Sequence, residues 1–362
     1  WDNYTPPKPT FLGTKTLTDY PLENLRDFID WTPFFATWEL KGRYPAILTN
    51  ERYGDAARDL FADANAMLDQ MISEKWVRAN AVFGFWPAGQ VGDDVRVFTD
   101  ETRSETLATF HGLRQQISKG TAGKPNFCIS DFCAPTGDYV GGFAVTAGLG
   151  ERAKSRQFEE AGDDYNAILF KALCDRLAEA FAEHLHQRVR REFWGYAPDE
   201  TASGDDLIAE KYAGIRPAPG YPAQPDHTEK ATLFRILDAT KEADIELTQS
   251  FAMHPASAVS GIYFSHPDSV YFGVGKVEVC VVVFAKYGSE PSSVTSSVWS
   301  SIAFTPRSVT GASPDITALA FLMFITSMYH WYSDAVAGSA RRCQAYTKSP
   351  AVTGLPSDHF AL

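Results

Sequence analysis

An α+β fold whose strands pair locally and antiparallel is predicted by three features of this 362-residue sequence. Two long stretches carry helical spacing of apolar residues. Strand-like runs follow one another in groups separated by Gly, Asp or Pro. Helices and strands do not alternate as they do around a parallel, doubly wound sheet. With 44% hydrophobic and 13% aromatic residues, the chain has enough apolar surface to bury a large core.

In chain order, residues 1–13 are Pro-rich (Pro6, Pro7, Pro9) and read as an extended linker. Residues 22–35 have mixed helical spacing and end in the aromatic group Ile29-Asp-Trp-Thr-Pro-Phe-Phe35. Residues 54–75 form an amphipathic helix, with Ala57, Leu60, Ala64, Met67, Leu68 and Met71 at spacings of three and four. Runs at 78–86, 93–99, 126–132 and 139–147 are rich in β-branched or aromatic residues and read as strands. Residues 165–194 contain neither Gly nor Pro and predict one helix roughly 45 Å long at 1.5 Å per residue. Its apolar residues recur every fourth position. Asp175, Glu179, Glu183, His186 and Arg190 form a separate polar band, which faces solvent or a cleft. Further strands are expected at 245–253, 259–264 and 270–275. From residue 277 the composition changes: the last 86 residues hold only ten charged residues, net neutral, and fourteen serines.

Several function classes are excluded or disfavoured. A formal charge of −12 argues against nucleic-acid binding, which needs concentrated Lys and Arg. Five cysteines without a Cys-x-x-Cys pair indicate neither a zinc site nor a disulfide framework, and fit a reducing, cytoplasmic setting. The uncharged run 316–333 has the length of a marginal membrane span, but its Thr, Ser, Met and His content argues against one. The chain opens without Met and reads as a segment of a longer polypeptide. Glu183-His-Leu-His186 has Glu-x-x-His spacing but no second copy, so a solvated or pair-forming helix face is expected instead of a metal centre. Asp163 or Asp164 suits the N-cap of the long helix. No nucleophile motif such as Gly-x-Ser-x-Gly is present.

The strip Gly214-Ile-Arg-Pro-Ala-Pro-Gly-Tyr-Pro222 with Pro225-Asp-His-Thr-Glu-Lys230 stands apart. Pro217, Pro219, Pro222 and Pro225 fix φ and remove N–H groups, leaving Ala218, Gly220 and Tyr221 as backbone donors near the bend. Gly220 permits positive φ or close approach, Tyr221 offers a ring and a hydroxyl, and Arg216 offers a planar fork for a carboxylate. The strip is either a platform for a small polar ligand or a rigid structural loop whose Arg pairs with a core carboxylate. His227 reads as a supporting, hydrogen-bonded residue.

These residues, together with Ile29-Asp-Trp-Thr-Pro-Phe-Phe35, Asp175-Arg-Leu-Ala-Glu-Ala-Phe-Ala-Glu183 and Ser260-Gly-Ile-Tyr-Phe-Ser-His-Pro267, closely resemble the reactivation domain of cobalamin-dependent methionine synthase over about residues 1–276. The resemblance implies a C-shaped α+β domain, residues 14–276, with a central bent antiparallel sheet flanked by helices. It implies binding of S-adenosylmethionine through an Arg-x-x-x-Gly-Tyr motif, here Arg216, Gly220 and Tyr221. By the same matching, Asp30 is a ligand contact, Arg216 pairs with the methionyl carboxylate, Ala218 and Gly220 supply backbone contacts, and Tyr271 and Phe272 lie beside the ligand. Glu179 is a weaker candidate, its charge favouring a sulfonium cation.

In that family the domain supplies a methyl group for reductive remethylation of inactive cob(II)alamin in methionine biosynthesis, with an electron from a flavodoxin or a flavin-dependent reductase. The resemblance therefore implies a domain of a methyltransferase (5-methyltetrahydrofolate–homocysteine S-methyltransferase) that is not a complete enzyme alone. Cobalamin would be carried by a separate domain, the docking partner, and zinc belongs only to a missing domain; no side chain of this chain is expected to act as a catalytic group. Arg188, Arg190 and Arg191 are the basic residues expected to serve docking. The rival reading is a docking scaffold that has lost ligand binding. The tail departs from the family: residues 277–286 exchange carboxylates for valines, and 277–362 are expected to lie outside the family fold.

Overall fold

Strand β1 (Gly13–Leu17) lies antiparallel to the first half of β2 (Arg78–Val91), pairing Gly13 with Phe85 and Leu17 with Ala81. On the same edge, the second half of β2 pairs with β3 (Asp94–Phe98), from Ala88 opposite Val97 to Val91 opposite Asp94. Trp86 and Pro87 fall between these two partners. Pro87, which cannot donate to a ladder, therefore sits where that edge makes no demand for an N–H. The opposite edge of β2 pairs along most of its length with β5 (Asp138–Leu149), beyond which lies β8 (Ala258–Tyr263). With β4 (Thr106–Phe110) outside β3, the sheet order is β4-β3-β2-β5-β8, with β1 beside β2, and every pairing is antiparallel. The structure, a computed structural model, describes residues 1, 4–117, 119 and 125–275. The tail 277–362, including the run 316–333, lies outside the described residues.

Both faces of the sheet are covered, which explains why residues 81–88 read as a continuous apolar run and not as an alternation. Ala79, Ala81, Phe83 and Phe85 enter one core with Phe143 and Val145 of β5, α2 (Gly54–Ser73) and α4 (Asp164–Arg188). Val82, Trp86, Ala88, Val140 and Ala144 enter the other, with α6 (Glu229–Leu237) and α7 (Ala239–Ala243). At Gly142 the approach of α6 is so close that a Cβ would come within 2.7 Å of Leu233 Cδ1. The α+β expectation is borne out, as are the helix at 54–75 and the strands near 78–86, 93–99, 139–147 and 259–264. The long helix is α4, capped by Asp163, whose carboxylate accepts from Asn166 N at 3.1 Å. It continues through a π-helical turn, Val189–Phe193.

Three strand expectations fail. Residues 126–132 contain a 3-10 turn, Ile129–Phe132. The Asp131 carboxylate takes the Cys128 N–H at 2.9 Å and both ends of the Arg114 guanidinium at 2.7 and 2.8 Å. A side chain bonding its own backbone here outcompetes strand propensity, and the neighbour of β3 is instead β4, from a segment not read as a strand. Residues 245–253 fold back on themselves as β6 (Glu246–Leu247) and β7 (Met253–His254). The reversal is closed by Phe251 N donating to Thr248 O at 2.9 Å. Residues 270–275 form no strand, although Val274 N donates to Pro222 O at 2.8 Å and its carbonyl accepts from Gln116 N at 2.7 Å.

The Pro-rich start, read as a linker, is tied to the end of the long helix. Trp194 Nε1 donates to Pro7 O at 2.8 Å, and both the N–H and hydroxyl of Thr10 donate to Phe193 O, at 3.1 and 2.6 Å.

Two histidines of α4 are held neutral. Burial pushes His184 down to about 4, with Arg188 adding to the effect; burial and the cations Arg190 and Arg216 push His186 well below its ordinary value. In the unfolded chain both titrate near 6.5. As pH falls through that value the unfolded state binds protons that the folded state refuses, so this contribution to stability is lost between about pH 6.5 and 4. The loss of stability between pH 7 and 5, measured by urea unfolding, is expected to be smaller in His184→Gln than in wild type. Equal losses would remove His184 from the account.

Candidate functional site

A cavity of about 560 Å³ lies where three distant segments meet: residues 26–33, the middle of α4, and residues 204–216. The first segment is fixed by helix α1 (Trp31–Thr37), whose N-cap is Asp30: its Oδ1 accepts from Thr32 N at 2.9 Å. Pro33 fits the first turn, where its missing N–H has no intrahelical role. Trp31, Phe34 and Phe35 bury the other side of this short helix, which leaves the Asp30 carboxylate at the cavity wall.

From α4, the middle of the polar band reaches the cleft, whereas Asp175, away from it, accepts from Ser257 Oγ at 3.0 Å. Glu179 and Glu183 line the cavity with Arg176, while His186 and Arg190 are fully buried behind them. Of the two alternatives expected for this face, solvated or pair-forming, Glu183 takes the second, pairing with Arg216 and Arg190; the expectation that Arg190 serves docking is corrected. Its guanidinium is 0% exposed, bidentate to Glu200 at 2.6 and 2.8 Å and seated 3.9 Å over the Tyr212 ring. Among the described residues no group of three or more His, Cys, Asp or Glu is placed to hold a metal.

The third segment carries Arg216. Its neighbours are pinned to the sheet edge: Ile215 and Phe264 exchange backbone hydrogen bonds at 3.0 Å, and Pro217 O accepts from Ile262 N at 2.9 Å. Arg216 N itself donates to Tyr271 Oη at 3.0 Å. With the backbone fixed at three points, the side chain reaches α4, where Nη2 donates to Glu183 Oε2 at 2.6 Å. Burial opposes the charge on Arg216, but Glu183 and the Tyr271 and Tyr212 hydroxyls outweigh it and keep the guanidinium protonated. Its Nε is buried and makes no hydrogen bond. Five carboxylates and three guanidiniums line the cavity (Asp27, Asp30, Glu179, Glu183 and Glu210 against Arg26, Arg176 and Arg216), so the wall favours a ligand with net positive charge and one anionic group.

The structure brings Asp30, Glu179 and Arg216 to one cavity. Tyr221 is 59% exposed; burial of part of its ring, then the field of Glu179, raises its hydroxyl pKa. Tyr271 bonds the Arg216 backbone. The donors at the bend are not as available as the sequence reading held. Gly220 N donates to Gln224 O at 2.7 Å and Tyr221 N to Ala218 O at 3.1 Å. Phe272 packs its ring against Phe127 and Phe132, at 5.9 and 6.2 Å between centroids, in the second core. The sequence reading did not single out Tyr212, Arg176, Glu210 and Leu207. Glu183 was visible only as a member of the polar band.

Gly220 has φ +94°, a value that L side chains rarely adopt, and a Cβ there would meet the His227 imidazole at 2.3 Å. His227 is exposed and able to swing aside, so the backbone term dominates. Gly220→Ala is expected to cost about 1–2 kcal/mol in chemical denaturation, with the His227→Ala, Gly220→Ala double variant recovering little of it. Full recovery would show that the contact, not φ, requires glycine.

Residues 21–282 match the family described as "Vitamin B12 dependent methionine synthase, activation domain". The chain belongs to that family. The match carries six residues beyond Lys276 into the segment expected to lie outside the family fold. The activation domain is also similar to a crystal structure described as the MetH reactivation domain bound to AdoHcy, at 52% identity and TM-score 0.74. The similarity covers 76% of this chain and 86% of that one. Within the activation domain, the Arg-x-x-x-Gly-Tyr strip joins the edge of the sheet to the wall of the cavity.

Proposed function

We propose that the cavity binds S-adenosylmethionine and presents its sulfonium methyl toward the cobalamin carried by a separate domain of the synthase. The observation that carries this reading is the convergence of Asp30, Glu179 and Arg216, from segments nearly 190 residues apart, on one wall whose carboxylates outnumber its guanidiniums. The ligand has a matching charge pattern: a sulfonium and an ammonium, both cationic, and one carboxylate. Arg216, which lines the cavity and keeps N–H groups that Glu183 does not engage, takes the carboxylate. Asp30 and Glu179 offset the two cations, and Tyr221 and Tyr271, which are outside the cavity lining, are assigned to the ligand by the family motif. The similarity to a reactivation domain bound to AdoHcy supports the same assignment.

Cobalamin, when brought to the domain, supplies the methyl-accepting metal centre. The residues described here bind and orient the donor, so proximity and alignment are their contribution and no general base is needed. The electron donor in this reading is a flavodoxin or a flavin-dependent reductase, and the setting is cytoplasmic. No helix among the described residues is long and apolar enough to cross a membrane.

Calorimetric titration of the chain with S-adenosylmethionine is expected to show one saturable site, with no methyl transfer to small molecules. Mixed with the cobalamin-binding domain of a related synthase and a one-electron donor, the chain should pass the labelled methyl to cobalamin. Absence of binding heat and of any ligand-induced rise in Tm would favour the docking-scaffold reading.

A further inference from the structure

Glu183 stands between two cations. Its Oε2 accepts from Arg216 Nη2 at 2.6 Å, and its Oε1 lies 3.7 Å from Arg190 Nη1, beyond hydrogen-bond reach. The side chain is 13% exposed, and neither Oε1 nor the facing Nη1 has a hydrogen-bond partner. Arg190 is committed elsewhere, its Nε and Nη2 fork closed on Glu200. On Arg216, Nη2 is held by Glu183 and Nε is buried and unpaired, while the side chain as a whole is 19% exposed and lines the cavity.

A guanidinium offers N–H groups along its edges and binds a carboxylate best when its plane is fixed. Glu183 supplies the fixing contact. It also places a negative charge between Arg190 and Arg216, which would otherwise repel each other in a poorly screened interior. We propose that Glu183 is a positioning residue: standing between Arg190 and Arg216, it holds the plane of the Arg216 guanidinium so that its cavity-facing N–H groups are aimed at the ligand's α-carboxylate. This rests on the assignment of that carboxylate to Arg216.

The test is a ratio of affinities, measured by calorimetry on the 362-residue chain: the Kd of decarboxylated S-adenosylmethionine divided by the Kd of S-adenosylmethionine. In wild type the ratio should be about tenfold or more, the value of a charge-assisted pair. Arg216→Ala should bring it near one. If it does not, the carboxylate is bound elsewhere and both the assignment and the proposal fall. With that control in place, Glu183→Ala should also lower the ratio toward one. Glu183→Gln, which is isosteric and keeps an oxygen acceptor for Nη2, should retain an intermediate ratio. If both Glu183 variants weaken the two ligands equally, leaving the ratio unchanged, the role is structural and the proposal fails. A rise in the ratio would overturn it in the opposite sense, showing that Glu183 competes with the ligand for Arg216. If Glu183→Ala does not fold, Glu183→Gln and Glu183→Asp decide the matter by the same ratio.

Discussion

Arg216→Ala is expected to weaken S-adenosylmethionine binding by about 2–4 kcal/mol, roughly 30- to 700-fold in Kd. Two effects add. The variant loses the charge-assisted hydrogen bond to the carboxylate, and it unmasks Glu183, whose Oε2 now faces the cavity without its 2.6 Å partner. The ligand carboxylate would then meet a wall with one fewer cation and an uncompensated anion. Arg216→Lys should fall between, since a point charge restores the balance but not the fork. Asp30→Asn should cost less than Arg216→Ala, because Asp30 also caps α1 through Thr32 N, an acceptor role that the Asn side chain keeps. Affinities equal within error for wild type and Arg216→Ala would remove Arg216 from the site.

Arg190→Ala is expected to have the largest effect on stability, about 3–5 kcal/mol. The Arg190 side chain is fully buried, and that of Glu200 is 7% exposed. Truncation leaves the Glu200 carboxylate without either of its two hydrogen bonds from Arg190, deprives Glu183 of its second cation and empties the space over Tyr212. The penalty comes from stranding charge, not from the intrinsic worth of an ion pair. Arg190→Met combined with Glu200→Gln, which removes charge on both sides, should therefore be much milder than Arg190→Ala alone. Urea denaturation measures both variants. A double variant as unstable as Arg190→Ala would show that packing, not charge, sets the cost.

What the sequence revealed followed from the range of the interactions involved. The long helix, the amphipathic 54–75 segment and the central strands were legible because their signals are periodic and local. The strand expected at 126–132 does not form, because Asp131 engages Arg114 and the Cys128 N–H, contacts that no propensity encodes. The Arg216 strip was legible from its prolines, and its agreement with the family motif singled out Arg216, Gly220 and Tyr221. The role of Glu183 was hidden, since a Glu in a polar helical band looks the same whether it meets water or two buried guanidiniums. Residues 204–212 offered no signal, because a short stretch of mixed polar and apolar residues becomes a wall only when α4 and residues 26–33 stand opposite it.

The anchoring of residues 7–10 has a mechanical consequence. Pro7 and Thr10 are bonded to Trp194 and Phe193, and the backbone runs from there through the π-helical turn into α4. Arg190 lies within that turn and Glu183 two helical turns before it. Residues 7–10 are therefore fastened to the end of the helix that carries Glu183, with the π-helical turn between the anchor and the carboxylate bonded to Arg216. The segment read as an extended linker is in this sense a clasp that fixes the far end of α4.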